Sequence, residues 1–537
     1  MKLGITVRPR RRGVGWPAAL RFGTAIAAGV TVVLGAVAQL CPPIAQQRLP
    51  VSQDAIPRPG EPPLLLLPPP TPPWSYFLIG GGPSPRSTQG SLQADIAVAL
   101  AQLAGVGGVF FSAGHGAAVV AQTDAQSADL GDGVRAELAA LFAPQRIAGL
   151  QFAPVALKAA PASAGHIDRA LLAQALQPGP PLLVYVSAHG DRAEQRADVQ
   201  LPWWGGAVWT PRSLAEALDS KAVPRPLRFV IGACFSGGFA ELAFDRADAE
   251  RGPTKADRCG LFAATWDLES SGCDADPERR SHEGFGRWFW AALARRDVSG
   301  RALRDEEIDF DGNGSVSLLE AHARVRMAST SYDVPTTTSE RLLRHFDRSG
   351  DEVVTADTVK PFDTAAVMAL KTVLPEEFAV MAALGFTLRV QSPLTQALAA
   401  FENRESLVAD ADLALADAQA ALDAATAART ALIYARFPGI DDPWRGDFES
   451  TLATHAATLA ALLGQQPERN AWLAATSIHA AAERLADRAL VARALSERLL
   501  RTVETLTAAA RVRSADPAAF AKYLRLRDCE RFVPLLR

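Results

Sequence analysis

An α/β fold with a mostly parallel sheet, followed by a helical C-terminal region, is what the sequence predicts for this 537-residue chain. Three observations carry that prediction. Short continuous apolar runs alternate with helical stretches between Trp74 and Arg296; an acidic twelve-residue loop follows at 309–320; and after Pro393 no Pro occurs until Pro438 and no Gly until Gly439. At roughly 100 to 200 residues per domain, the length corresponds to two to four folded units. Hydrophobic residues make up 48% and charged residues 21%, values that exclude a disordered or collagen-like chain. Fifty-five Lys and Arg against 58 Asp and Glu leave a net charge of -3, so no basic field argues for nucleic acid as a partner.

The first acidic residue is Asp54, and Lys2, Arg8, Arg10, Arg11, Arg12 and Arg21 precede a 19-residue apolar run, Phe22 to Leu40. A basic flank before an apolar run reads as a signal peptide or a membrane anchor over 1–40. Ala36-Val37-Ala38 supplies small residues for cleavage before Gln39, and both readings place the rest of the chain outside the cytoplasm, with a membrane tether in the second. Residues 41–73 form a Pro-rich linker: twelve of the 32 residues from Pro42 to Pro73 are proline, which favours extended polyproline.

From Trp74 the apolar runs Tyr76–Ile79, Gly108–Ser112, Leu182–Ser187 and Leu227–Gly232 read as strands, separated by helical Ser91–Ala104, Asp168–Gln177 and Pro211–Ser220. Continuous apolar strands joined through helices make a parallel sheet covered on both faces, and ligands bind beyond the carboxyl ends of such strands. The strand 182–187 runs into Ala188-His189-Gly190-Asp191, and the strand 227–232 into Ala233-Cys234-Phe235-Ser236-Gly237-Gly238. A His and a Cys thus leave successive strands at one edge, the layout of a general base and a nucleophile. A helix starting at Gly237 would favour thiolate at Cys234, and the N–H groups of Gly190 and Cys234 would face an oxyanion. Gly114-His115-Gly116 also follows a strand but lies one strand too early.

His-Gly after one strand and Ala-Cys-x-Ser-Gly after the next resemble the legumain, caspase and gingipain clan of cysteine endopeptidases. Leu261 to Thr265, then Glu269-Ser270-Ser271 and Cys273-Asp274, are similar to the segment beside legumain's primary specificity pocket, and Phe77 to Gly82 with Arg86 to its first strand and loop. The resemblance covers about residues 74 to 330 and implies a caspase-like αβα sandwich over 74–300, His189 as base, Cys234 as nucleophile and a peptide or protein substrate. It also implies substrate contacts from Arg86, Glu269 and Ser270. Legumains carry a Glu two residues before the nucleophile, where this chain has Gly232, so asparaginyl specificity is not expected. Arg86 in the pocket would select an acidic or amide side chain; Glu269 would select a basic one. A catalytically silent, caspase-like scaffold is the alternative reading of the same residues.

Asp309, Asp311, Asn313, Ser315, Ser317 and Glu320 occupy positions one, three, five, seven, nine and twelve of a loop with Gly314 at six and Val316 at eight. That spacing is the EF-hand pattern, with Ca2+ as the expected cofactor and a structural role. Asp347, Ser349, Asp351 and Thr355 repeat it without a closing Glu, so 301–365 reads as an EF-hand-like segment with a degenerate second loop, an ordinary turn being the alternative for that repeat. Over 390–537 an α-helical hairpin or bundle is expected, with Leu485, Ala489, Ala492, Leu495, Leu499, Val503 and Leu506 at helical spacing and a protein partner as one use for it. A free Cys234 leaves four of the five cysteines. Cys259 and Cys273, flanking the segment likened to the specificity wall, are the expected disulfide, with free buried thiols as the alternative and Cys41 with Cys529 as a second pairing.

Overall fold

A computed structural model of the protein describes residues 74–116, 119–123, 133–142, 150–272, 284–348, 362–386, 393–441 and 445–537. The apolar segment 22–40, the Pro-rich linker, Cys41, Cys273 and positions 349–361 of the degenerate loop lie outside the described residues. Among the described residues, no helix is long and apolar enough to cross a membrane.

The elements run β1 Tyr76–Gly81, α1 Gly90–Gln102, β2 Gly107–Phe111, β3 Val119–Thr123, α2 Gly133–Phe142, β4 Leu150–Pro154, α3 Ala164–Ala175, β5 Leu182–Ala188, β6 Leu201–Pro202, β7 Val208–Trp209 and α4 Pro211–Asp219. They continue with β8 Leu227–Gly232, β9 Arg258–Phe262, α5 Phe285–Leu293, α6 Leu318–Ala328, β10 Thr336–Thr337 and α7 Thr338–Asp347. Among the described residues, six strands form one sheet in the order β10-β9-β8-β5-β1-β2, parallel throughout except for antiparallel β10 at the edge. Successive side chains of a strand face opposite sides, and both sides here are apolar. Leu78, Leu183, Tyr185 and Val230 pack under α1, α5 and α6 through Leu92, Ile96, Phe289, Trp290 and Leu318. Phe77, Ile79, Val184, Val186, Phe229 and Ile231 pack under α3 and α4 through Ile167, Leu171, Leu214 and Leu218. This is a helix–sheet–helix sandwich whose central strands are buried on both faces, which is why they read as unbroken apolar runs.

The helical region comprises α8 Thr364–Met368, α9 Pro375–Ala383, α10 Pro393–Tyr434, α11 Phe448–Leu463, α12 Gln466–Ala515 and α13 Pro517–Glu530. Absence of helix breakers lets α10 and α12 run 42 and 50 residues. They pack antiparallel: Arg493 of α12 lies over Phe401 near the start of α10, and Arg429 near its end lies over Trp472. The predicted apolar stripe holds only in part. Leu499, Val503 and Leu506 are buried, while Leu485 is exposed, because every residue from Glu497 to Ala510 is enclosed and the earlier half of α12 is not.

That enclosure puts charge in the interior, and the charges are paired, as desolvation demands. Arg326 of α6 meets Glu340 (3.2 Å) and Glu377 (3.0 Å), and Arg527 of α13 meets Glu376 (2.7 Å) and Glu377 (3.0 Å). The disulfide joins Cys259 of β9 to Cys529 of α13, with Cα atoms 6.1 Å apart. This corrects both expected pairings, Cys259 with Cys273 and Cys41 with Cys529. Sequence proximity favoured the first, but packing of α13 against β9 brings together two residues 270 apart.

Candidate active site and acidic loop

β5 and β8 pair in parallel with Ser187 opposite Gly232, so His189 and Cys234 each follow two residues after matched positions. The two turns touch: a β-carbon at position 190 would collide with the Cys234 carbonyl oxygen, so only glycine permits this approach. Both His189 and Cys234 are half-buried at the strand ends rather than sealed in the core. Among the described cysteines, Cys234 is the one outside a disulfide.

The expected α-helix after Cys234 is instead a 3-10 helix, Ser236–Ala243, entered through Phe235 in the left-handed region (φ 58°). Two of its first amides bond within the turn: the Ser236 N–H donates to the Ala233 carbonyl and the Gly238 N–H to the Phe235 carbonyl. The Ser270 N–H donates to Cys234 Sγ at 3.3 Å, and the thiol lies 3.4 Å from the Ser270 carbonyl oxygen. Gly237 allows this packing, because a β-carbon there would sit 2.6 Å from the Ala264 oxygen.

His189 is held from the other side. Its Nε2 lies 2.8 Å from the Ser87 carbonyl oxygen and 2.7 Å from Gln89 Oε1. A carbonyl can only accept, so Nε2 carries the proton and the neutral ring keeps its lone pair on Nδ1. The turn that supplies Ser87 is built from its own hydroxyls: Thr88 Oγ1 receives the Gly82 N–H (3.2 Å) and meets Ser112 Oγ (2.9 Å). Gly82 is required here, since a β-carbon would collide with the Ser87 carbonyl oxygen. Ser87 and Gln89 escaped the sequence reading because a backbone acceptor leaves no signature in residue type. The backbone of Arg86 lies in the same turn, and its side chain lies outside the described part of the chain.

Beside the thiol, Leu92, Asp95, Ser187, Gly232, Ala233, Ser270, Ser271, Gly272, Phe285 and Gly286 enclose a cavity of about 10 Å³, room for about one water. Asp95, from α1, is its one acidic side chain; it is 8% exposed and accepts from Ser187 Oγ at 2.9 Å. Glu269 is not among the enclosing residues but exposed, and partial loss of water pushes its carboxyl up. Ser270 is buried and does line the cavity. The signal that could have found Asp95 is its spacing: it shares the core face of α1 with Leu92, Ile96 and Ala99, where a charge needs a reason.

The acidic loop brings oxygens of Asp309, Asp311 and Glu320 within 4.8 Å of one another. Gly314 at the turn has φ 83°, and Val316 is buried beneath it. Asn313 Oδ1 accepts from the Ser315 N–H (2.8 Å), and Ser317 Oγ caps α6 by accepting from the Glu320 N–H (3.2 Å). Glu320 is fully buried; burial, with Asp311 beside it, pushes its carboxyl up. The donors are all hard oxygens, a set suited to Ca2+, Mg2+ or Mn2+ and not to softer metals. In the second loop, Asp347 is engaged by Arg511 of α12 at 2.8 Å.

Comparison with known proteins finds no matching family model and no matching curated sequence.

Proposed function

We propose that this chain is an exported, caspase-like cysteine endopeptidase. The observation that carries the reading is the pairing of half-buried Cys234 and His189 on matched, touching strand ends, with Nε2 of the histidine bonded away and Nδ1 left as base. In the reaction, Nδ1 takes the thiol proton while Sγ attacks the scissile carbonyl carbon. The tetrahedral oxyanion is received by the N–H groups of Gly190 and Cys234. The proton then passes to the leaving amine as the C–N bond breaks, and water hydrolyses the thioester in a second half-reaction.

Specificity follows from the cavity. With Glu269 exposed and Gly232 contributing no side chain, Asp95 is the group that would meet a substrate side chain, and its charge selects Lys or Arg. At about 10 Å³ the cavity admits such a chain only when it widens. A library of peptides varied at the residue before the scissile bond tests this. Wild type should prefer Lys and Arg, and Asp95→Asn should lower kcat/KM for those substrates about 100-fold while changing neutral ones less than about threefold. A preference for acidic residues, or one unmoved by the substitution, would sink the assignment.

The small cavity is also the observation that favours a catalytically silent binding protein. That reading predicts no hydrolysis of any library member by a chain whose Cys234 still reacts with alkylating agents.

Asp309, Asp311, Asn313, the Ser315 carbonyl, Ser317 and Glu320 would hold Ca2+ as a structural clip in the EF-hand manner, stiffening the loop that leads into α6. Glu320→Gln should weaken Ca2+ binding by at least about 100-fold and remove the rise in melting temperature that Ca2+ produces in wild type. Calorimetric titration and thermal melts with and without chelator read both effects; equal affinity in the two proteins would refute the site.

A further inference from the structure

One wall of the cavity is not held by the sheet domain's own strands. Ser270 and Ser271 are fixed by the carboxylate of Asp333, a fully buried residue just before β10. Asp333 Oδ1 accepts from Ser270 Oγ (2.9 Å) and the Ser271 N–H (2.6 Å), and Oδ2 from Ser271 Oγ (3.0 Å) and Ser331 Oγ (2.8 Å). Four donors fill the roughly four acceptor sites of an ionised carboxylate. Burial pushes this carboxyl up on balance, against the opposing pull of the Ser271 N–H, the Ser331 hydroxyl, Arg498 and the Ser270 hydroxyl.

The turn that carries Asp333 is in turn held by α12. Arg498, 1% exposed, donates through Nε to the Asp333 carbonyl (2.7 Å) and through its two terminal nitrogens to the carbonyls of Ser329 (2.8 Å) and Ser331 (2.7 Å). A guanidinium is one of few groups that can satisfy three diverging carbonyls at once, and lysine's single ammonium does not reproduce that fork. A continuous chain of hydrogen bonds thus runs from α12 through Arg498, residues 329–333 and Asp333 to Ser270, whose N–H lies on the sulfur of Cys234. The residues are far apart in sequence, and no motif connects them.

We infer that the helical region is a working part of the thiol site: Arg498 and Asp333 are positioning residues that hold the Ser270 N–H on Cys234 Sγ and set the cavity wall. The inference rests on the reading of Cys234 as the nucleophile. The charge-assisted bond from the Ser270 N–H favours thiolate more than the weak S–H bond to the Ser270 carbonyl (3.4 Å) favours thiol, so loosening the wall raises the pH at which Cys234 ionises.

The test is the pH dependence of Cys234 alkylation by iodoacetamide, followed on its own peptide by mass spectrometry in the full chain. Asp333→Asn and Arg498→Met should each move the midpoint to higher pH, so that alkylation below the wild-type midpoint slows about tenfold. The double variant should shift it no further than either single one, because both act through the same wall. Amide exchange at Ser270 and Ser271 should quicken in both. If Arg498→Met does not fold, Ser331→Ala, which removes one bond to Asp333, reads the same quantities with a smaller shift. Folded variants with a wild-type alkylation profile overturn the inference, even where peptide hydrolysis is intact. An altered profile in a chain that cleaves no peptide upholds it and overturns the peptidase reading instead.

Discussion

Cys234→Ala should lower kcat/KM for a cleavable peptide by at least about 10⁴-fold, because the dyad's chemistry passes through one sulfur, the atom that carries the acyl intermediate. His189→Ala should cost nearly as much, since the two act as a unit, and the double variant should be no worse than either single one. Binding should survive: a peptide aldehyde would be lost with the sulfur, but an uncleaved peptide should bind Cys234→Ala about as well as wild type. The choice of Nδ1 as base gives a finer expectation. Gln89→Ala removes one of the two acceptors on Nε2 and leaves the Ser87 carbonyl, so it should lower kcat only about two- to tenfold. Equal turnover by wild type and Cys234→Ala would end the peptidase proposal.

Reduction of the Cys259–Cys529 disulfide, or its replacement by a pair of serines, should produce the largest loss of stability of any change considered. The bridge closes a loop of 270 residues, and chain entropy alone then gives up to about 5 kcal/mol. It fastens α13 to β9 and, with α13, the Arg527 pairs that bury Glu376 and Glu377. The melting transition should fall by several degrees or split in two, with the helical region releasing first and Cys234 alkylation shifting as the Arg498 contacts loosen. Digestion without reductant is the direct check. It should recover a cross-linked pair of peptides holding Cys259 and Cys529, and a Cys259–Cys273 link would refute the pairing.

How far these features could be read in advance depended on the range of the interactions that make them. Three of the four central strands, β1, β5 and β8, were legible because burial on both faces forces unbroken apolar runs, and α10 and α12 because helix propensity is local. β9 went unread as a strand, since Arg258-Cys259-Gly260 interrupts its apolar pattern; Gly260 is demanded by the Phe262 ring 2.6 Å from where a β-carbon would lie. The second half of α12 departs from expectation because it is buried together with its charges, and a polar helix face normally signals solvent. Glu269 and Arg86 were drawn from likeness to a motif, whereas the acid that lines the cavity, Asp95, comes from a helix 139 residues before Cys234.

The sequence by itself determined the strands β1, β2, β5 and β8 and the long C-terminal helices, the placing of His189 and Cys234 at strand ends and the spacing of carboxylates at 309–320. Each depends on neighbours within about a dozen residues along the chain. Tertiary structure alone decided which acid lines the cavity, which carbonyl orients His189, which cysteine bonds Cys259, and that Arg498 reaches the wall beside the thiol. Those are contacts between segments 100 to 270 residues apart, and chain folding selects them through burial and hydrogen-bond satisfaction, which no local pattern of residue types encodes.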